Sequence, residues 1–245
     1  MSIIQLRQPH LSLQAKYEPK TLDEIIYPND GAETAIASFL EKALGGPTNL
    51  ILYGPYGTGK TKLANLIAKH LNSSEMDHLE LSGASIKNAS ELGSRISKFA
   101  SVYPCFSEGV PYKIVILNEA DKIPKSAQFD LRCLMDEYKA MASFYITTNE
   151  INDIDGAVRD RCKDICYPGL TSSRMLGFAE SILAAEGVSV SPQEMLRKAL
   201  HGTNGSRRKL FEKLDEIIQG ASRPKPKSKQ TIVIPFQKDG NDKQT

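Results

Sequence analysis

Asn49-Leu-Ile-Leu-Tyr53-Gly54-Pro55-Tyr56-Gly57-Thr58-Gly59-Lys60-Thr61-Lys62-Leu63 decides how this chain reads. The apolar run up to Tyr53 suits a short buried strand, three glycines follow within six residues, and Leu63, Ile67, Ala68 and Leu71 then recur at helical spacing. Strand, glycine-rich loop and helix in that order are the setting in which G-x-x-x-x-G-K-[ST] has a mechanism. Glycines let backbone N–H groups turn inward around phosphate oxygens, and the helix that follows points its positive dipole end at them. Gly54, Pro55, Tyr56, Gly57, Thr58 and Gly59 are the expected cradle. Lys60 is expected to reach the β- and γ-phosphates of ATP, and the Thr61 hydroxyl to hold Mg²⁺.

The alternation continues on both sides. Ala32, Ala35, Ile36, Phe39, Leu40 and Leu44 repeat at helical spacing between Asn29-Asp30 and Gly45-Gly46. Strands are predicted near 78–81, 113–117, 144–148 and 164–167, with helices over 90–100 and 127–138 between them. Five short strands alternating with helices imply a parallel sheet covered on both faces. After Pro168 the pattern is helical only. Thr171 can cap a helix through 186, Ser191-Pro-Gln-Glu194 is a capping box with proline at the first helical position, and a third helix is expected over 206–218. The predicted division is an α/β nucleotide-binding domain over 1–168, a three-helix lid over 169–220 and a tail over 221–245. The tail's Arg223-Pro-Lys-Pro-Lys stretch suits an extended linker. Ile232-Val-Ile-Pro-Phe236 reads equally as a docking strand or as a chance apolar cluster.

Of 245 residues, 40% are hydrophobic and 24% charged, enough for an ordinary core. The net charge of +2 is uneven: the tail carries six basic and two acidic residues, the remainder 25 basic and 27 acidic. A bulk cationic coat for nucleic acid is excluded, whereas a local basic patch is not. Four cysteines without Cys-x-x-Cys spacing do not make a disulfide scaffold. No apolar run approaches the ~18 residues of a membrane span, and the start shows no secretory leader, so a cytoplasmic protein is expected.

A phosphate loop needs a carboxylate on a neighbouring strand. Ile114-Val-Ile-Leu117 leads into Asn118-Glu119-Ala120-Asp121, at the carboxyl end of a central strand facing the same crevice as the loop. Asn118 occupies the position where aspartate is usual, and a neutral amide serves a Mg²⁺ shell less well than a carboxylate. Glu119 is the candidate general base. A slow ATPase and a subunit that binds ATP without turnover are both open at this point.

These residues resemble the AAA+ ATPases of the clamp-loader branch, the small subunits of replication factor C and their phage counterparts. The resemblance runs from about Leu13 to Gly220. Lys16-Tyr17-Glu18-Pro19 with Thr21-Leu-Asp-Glu-Ile25 is similar to the branch's opening segment, which places Tyr17 against the adenine; the family's arginine there is Glu18 here. Ala127-Gln128 with Leu131-Arg132 resembles its A-Q-x-x-L-R helix. Phe144 through Asn149 resembles the strand ending in the residue called sensor 1, which makes Asn149 the group that positions the attacking water. Asp160-Arg161-Cys162 stands where the family has Ser-Arg-Cys, and the resemblance makes Arg161 an arginine finger acting on a neighbouring subunit, with Asp160 as its partner when the interface is open. Gly205-Ser-Arg-Arg208 resembles the sensor 2 segment and sets Arg208 over the phosphates, with Arg207 the alternative one register away.

The resemblance implies an ATP- and Mg²⁺-dependent switch working in an oligomer of AAA+ subunits, with a sliding clamp and double-stranded or primer-template DNA as partners. Lys87, Arg95 and Lys98 are the candidate DNA contacts, with a solvated helix face as the alternative, and Phe99, Tyr103 and Phe106 form an aromatic cluster near the expected clamp contact that reads equally as core residues and a loop anchor. Family members continue beyond the lid into a helical collar, for which 221–245 is too short. A non-hydrolysing regulatory scaffold, or a helicase loader or mobile-element target selector, shares the same ATP site.

Overall fold

The computed structural model describes residues 12–72, 74–104, 109–189, 193, 196–197 and 200–220. Its centre is a five-stranded sheet, β1 (Leu50–Tyr53), β2 (His78–Ser82), β3 (Lys113–Asn118), β4 (Ala142–Thr148) and β5 (Lys163–Cys166), in the order β2-β3-β4-β1-β5. All four pairings are parallel, as strands joined through helices require. β3 and β4 are buried along their whole length, which is why they read as near-continuous apolar runs and not as alternation.

Side chains pointing to opposite faces build two cores. Leu50, Leu52, Ile114, Ile116 and Tyr145 meet α2 (Asp30–Leu44) and α3 (Lys60–Leu71) on one face. Ile51, Val115, Leu117, Phe144 and Ile146 meet α4 (Ala89–Ala100) and α5 (Lys125–Glu137) on the other. Asn29 and Asn88 start α2 and α4 by accepting the backbone N–H of Ala32 and Glu91. Register matters here: a slip of one residue would carry each strand's core set to the wrong face, at about 1.5–3 kcal/mol for every large apolar side chain exposed.

A third core gathers Leu13 and Leu170 with Met175 and Ile182 of α7 (Ser172–Ala185) and Leu210 and Leu214 of α8 (Arg207–Gly220). The helix predicted from the Ser191 box falls largely outside the described residues, although Leu196 and Leu200 from that stretch are buried in this core. Two short helices were not predicted, α1 (Leu13–Lys16) and α6 (Gly156–Arg159). Each is one turn long and rests on a cap, Ser12 accepting from Ala15 N and Asp155 from Ala157 N. Phe106 and the 221–245 tail, with its Ile232–Phe236 cluster, lie outside the described residues. Among the described residues no helix is long and apolar enough to cross a membrane.

Candidate nucleotide-binding site

The Gly54–Gly59 loop joins β1 to α3 at the carboxyl edge of the sheet. Gly57 and Gly59 have φ of 75° and 95°, the left-handed region a β-carbon disfavours, and Gly59 caps α3 without a side chain. A β-carbon would also meet Ser206 Oγ at 2.4 Å from Gly57 and the Arg207 guanidinium at 2.7 Å from Gly59, so the start of α8 sits directly on the loop. Arg207 N donates to Gly57 O at 2.9 Å.

Lys60 is 7% exposed. Its ammonium donates to Gly54 O at 2.7 Å, Pro55 O at 2.8 Å and Asn149 Oδ1 at 3.1 Å. Burial lowers its pKa to about 8, with nearby Asp121 pulling the other way. Asp121 Oδ1 in turn accepts from Thr148 Oγ1 at 3.3 Å and from the backbone N–H and side-chain amide of Asn149 at 3.4 and 3.5 Å. Asn149, just beyond β4, therefore bridges the loop lysine to the acidic end of β3. Thr58 is buried, its hydroxyl donating to Pro55 O at 3.1 Å, while Pro55, Tyr56 and Thr61 are exposed along the rim.

At the end of β3, Asn118 is buried and gripped from both sides. Its Nδ2 donates to Glu80 of β2, and its Oδ1 accepts from Thr147 Oγ1 of β4 at 3.1 Å. Thr147 Oγ1 accepts the Glu119 N–H at 3.3 Å. Glu119 is left-handed, with φ of 53°. Its carboxylate accepts from Lys122 Nζ at 2.6 Å, a half-exposed ion pair that water screens. Glu119 thus stands at the site with its carboxylate held locally, where small energies decide whether it is free to act.

Arg161, expected beside Asp160, is paired elsewhere. Its Nε and a terminal nitrogen donate to the two carboxylate oxygens of Asp136 on α5, at 2.8 and 2.7 Å, and the other terminal nitrogen donates to Ala157 O at 2.6 Å. Each partner favours the other's charged form: the guanidinium lowers the Asp136 pKa and the carboxylate raises that of Arg161. Asp136 wins because it offers both oxygens across the α5–α6 contact to a planar fork.

Of the two arginines expected near the phosphates, Arg207, the alternative one register away, is the one whose guanidinium faces the loop. Arg207 brings its guanidinium over Gly59, donating to Ile26 O and, at 3.3 Å, to Tyr167 Oη, whereas Arg208 reaches the loop through its backbone N–H to Gly57 O at 3.4 Å and leaves its side chain exposed. The Tyr17 hydroxyl donates to Glu186 at 2.8 Å at the end of α7, and burial, followed by that bond, raises its pKa strongly. Glu18 pairs with Lys62 of α3 at 3.3 Å, so the departure from the family's arginine still ties this segment to the helix behind the loop. Lys87, Arg95 and Lys98 are exposed on and before α4, Arg95 facing Glu91 at 3.8 Å. Phe99 is partly buried against the α4–α5 core with Lys113 Nζ 4.4 Å from its ring centroid, while Tyr103 is 80% exposed.

Four participants escaped the sequence reading. Asp121 lies in the acidic run and was legible in principle; Lys122 was signalled by its i+3 spacing from Glu119. Glu80 and Asp136 are separated from their partners by 38 and 25 residues and become neighbours only through strand order and helix packing.

A parallel sheet with a glycine loop feeding a helix at its carboxyl edge, a buried lysine in that loop and polar groups at the ends of the two adjoining strands define a P-loop nucleotide-binding protein. Residues 50–170 match the family described as "ATPase family associated with various cellular activities (AAA)". Residues 50–170 are thus a domain of that family, and relatives that match most of the chain are replication factor C subunits. It is 31% identical over 201 residues to replication factor C subunit 3 of Blastobotrys adeninivorans, 81% of this chain and 58% of the relative. It is 33% identical to a probable replication factor C subunit 5 of Dictyostelium discoideum, over 74% and 52% of the two chains. It is 29% identical to replication factor C small subunit 2 of Pyrobaculum islandicum, over 81% and 61%. The chain therefore spans between 52% and 61% of the length of these relatives. A solved RuvB structure from Thermotoga maritima shares the fold at a TM-score of 0.63 and 19% identity, covering 84% of this chain and 68% of that one. So does a DNA polymerase III gamma-subunit-related protein from the same organism, at 0.55 and 14%, over 78% and 60%.

Proposed function

We propose that this chain binds ATP with Mg²⁺ at the Gly54–Thr61 loop and hydrolyses it slowly, as one subunit of a clamp-loader-like oligomer acting on DNA in the cytoplasm. The observation that carries the reading is Lys60, whose buried ammonium is aimed into the loop and shared with Asn149. A cation desolvated in this way gains most from an anion that enters beside it. The side-chain oxygens assigned to the metal, those of Thr61 and Asn118, suit a hard divalent cation. Among the described residues no three His, Cys, Asp or Glu side chains converge to hold a metal unaided, so Mg²⁺ would enter bridged to phosphate.

In this reading residues 1–168 hold the nucleotide, 169–220 form the lid, and 221–245 make a tail. Gly54, Pro55, Tyr56, Gly57, Thr58 and Gly59 wrap the phosphates, Lys60 neutralises them, and Thr61 and Asn118 face the metal. Tyr17 lies on the base side, and Arg207 with Arg208 closes the lid. Asn149 orients a water that Glu119 activates once released from Lys122, and Arg161, leaving Asp136, reaches the neighbour's phosphates. The ~30% relatives named for replication factor C support a sliding clamp and primer-template DNA as partners, and exposed Lys87, Arg95 and Lys98 suit duplex phosphates. The free thiols of Cys133, Cys162 and Cys166 fit a reducing compartment.

Fluorescence titration with a labelled ATP analogue tests this directly. Lys60→Ala should weaken binding at least a hundredfold with the fold intact by circular dichroism; no binding by the wild-type chain, or unchanged binding by the variant, refutes the assignment. A second reading, a scaffold that binds without turnover, is favoured by the Glu119–Lys122 pair and the amide at 118. Saturable ATP binding with no phosphate release, with or without double-stranded DNA, would replace the first reading by the second.

A further inference from the structure

We propose that Glu80 supplies the carboxylate that position 118 lacks: the metal-facing charge of this site has moved one strand outward, from β3 to β2, and acts through Asn118. The proposal rests on the ATP–Mg²⁺ reading of the loop and names a positioning residue for it.

An ionised carboxylate only accepts hydrogen bonds, so the group Asn118 turns toward Glu80 must be its Nδ2, and its Oδ1 must face the other way. That oxygen accepts one bond, from Thr147 Oγ1 at 3.1 Å, and keeps a second lone pair. Glu80 thereby fixes the amide orientation and polarises it, leaving more negative charge on Oδ1 than an unsupported amide would carry. The second Glu80 oxygen accepts from Asn65 Nδ2 of α3 at 3.3 Å. Asn65 is one helical turn beyond Thr61, so the two lie on one face of α3. Glu80 is thus connected to both residues assigned to the metal, Asn118 directly and Thr61 through the helix that carries it.

Register explains why the pair can form. Ser82 is opposite Asn118 and Glu80 opposite Ile116, and both Ile116 and Asn118 face α3; Glu80, two residues before Ser82, points to that same side. An aspartate at 118 would set two carboxylates in hydrogen-bond contact, and such pairs share a proton or repel. An acid at 80 with an amide at 118 avoids that conflict. The same network continues from Thr147 to the Glu119 N–H, so the orientation of Asn118 also bears on the backbone of the candidate base.

The test is the Mg²⁺ dependence of nucleotide binding, read with a fluorescent, non-hydrolysable ATP analogue in EDTA and in a MgCl₂ titration, with circular dichroism as the fold check. Glu80→Gln keeps the shape: its Oε1 can still accept from Asn118 Nδ2, and its Nε2 can donate to Asn65 once that amide turns its Oδ1 inward. It should leave affinity in EDTA unchanged and raise the Mg²⁺ concentration for half-maximal tightening by about 10- to 100-fold, the usual cost of losing a group behind a metal ligand. Asn118→Asp alone should gain little or lose. The double variant Glu80→Gln/Asn118→Asp, which returns the charge to β3, should restore the wild-type Mg²⁺ midpoint to within a few-fold. An unchanged midpoint in Glu80→Gln, or no recovery in the double variant, overturns the proposal and leaves Glu80 as a tie between β2 and α3. Absence of nucleotide binding by the wild-type chain in both EDTA and MgCl₂ would instead overturn the ATP reading beneath it.

Discussion

At the scale of single residues, the site is governed by which ionic partner each charged group holds. Lys60 is the sharpest case, because burial brings its pKa from 10.5 to about 8, inside the range an assay can scan. Only protonated Lys60 attracts phosphate, so nucleotide affinity should be greatest below pH 8 and decline above it, by up to tenfold per unit, until the higher pKa of the phosphate-paired lysine is reached. Titrations between pH 7.5 and 9.5, where the phosphates are fully ionised, read this directly. Lys60→Arg, whose guanidinium stays charged, should flatten the profile whatever its absolute affinity. Folding responds with the opposite sense. Between about 8 and 10.5 the unfolded chain binds more protons at this site than the folded one, so this lysine's contribution to stability improves as pH rises through that window.

At the scale of elements, the joint between sheet and lid is made of backbone. Gly205, with φ of 76°, lies just before α8, and a β-carbon there would stand 2.5 Å from Gly169 Cα and 2.7 Å from Leu170 N. Gly187, with φ of 73° beyond α7, has nothing within 4 Å. Gly187→Ala should therefore cost about 1 kcal/mol of left-handed strain. Gly205→Ala adds a backbone clash of about 1–3 kcal/mol, or roughly 2–12 °C in melting temperature for a chain of this size. Because Arg207 N bonds to Gly57 O, only Gly205→Ala should also weaken nucleotide binding; equal effects in both variants would remove this joint from the site. The elements that set these positions were legible from periodicity: all five strands and the long helices of the sheet were read from apolar spacing to within a few residues at their ends. α1 and α6 were not, because four residues make one turn and show no repeat, their stability coming from Ser12, Asp155 and the neighbours they touch.

At the scale of the molecule, groups consecutive in sequence were readable and groups brought together by topology were not. Lys60, Thr61, Asn118, Glu119 and Asn149 each sit at the end of a strand or the start of a helix, in a pattern short enough to see. The order β2-β3-β4-β1-β5, which puts Glu80 beside Asn118, and the α5–α6 contact that gives Arg161 to Asp136, follow from no spacing in the chain. That last pair carries the consequence for assembly. A bidentate contact with Asp136 occupies the Arg161 guanidinium, so a finger role for Arg161 needs a second subunit whose phosphates compete for it. Mixing two inactive variants isolates this. Lys60→Ala retains the finger and lacks the nucleotide site; Arg161→Ala retains the site and lacks the finger. If copies of this chain associate with one finger serving the next site, random mixing at equal amounts leaves an intact site facing an intact finger at about one interface in four, so about a quarter of wild-type turnover should return while each variant alone stays near baseline. Recovery should vanish on dilution below the concentration at which the copies associate. An Arg161→Ala chain that hydrolyses ATP at the wild-type rate would remove the finger role altogether, and a mixture that stays inactive at concentrations where wild type is active would mean that the arginine serving each site does not come from a second copy of this chain.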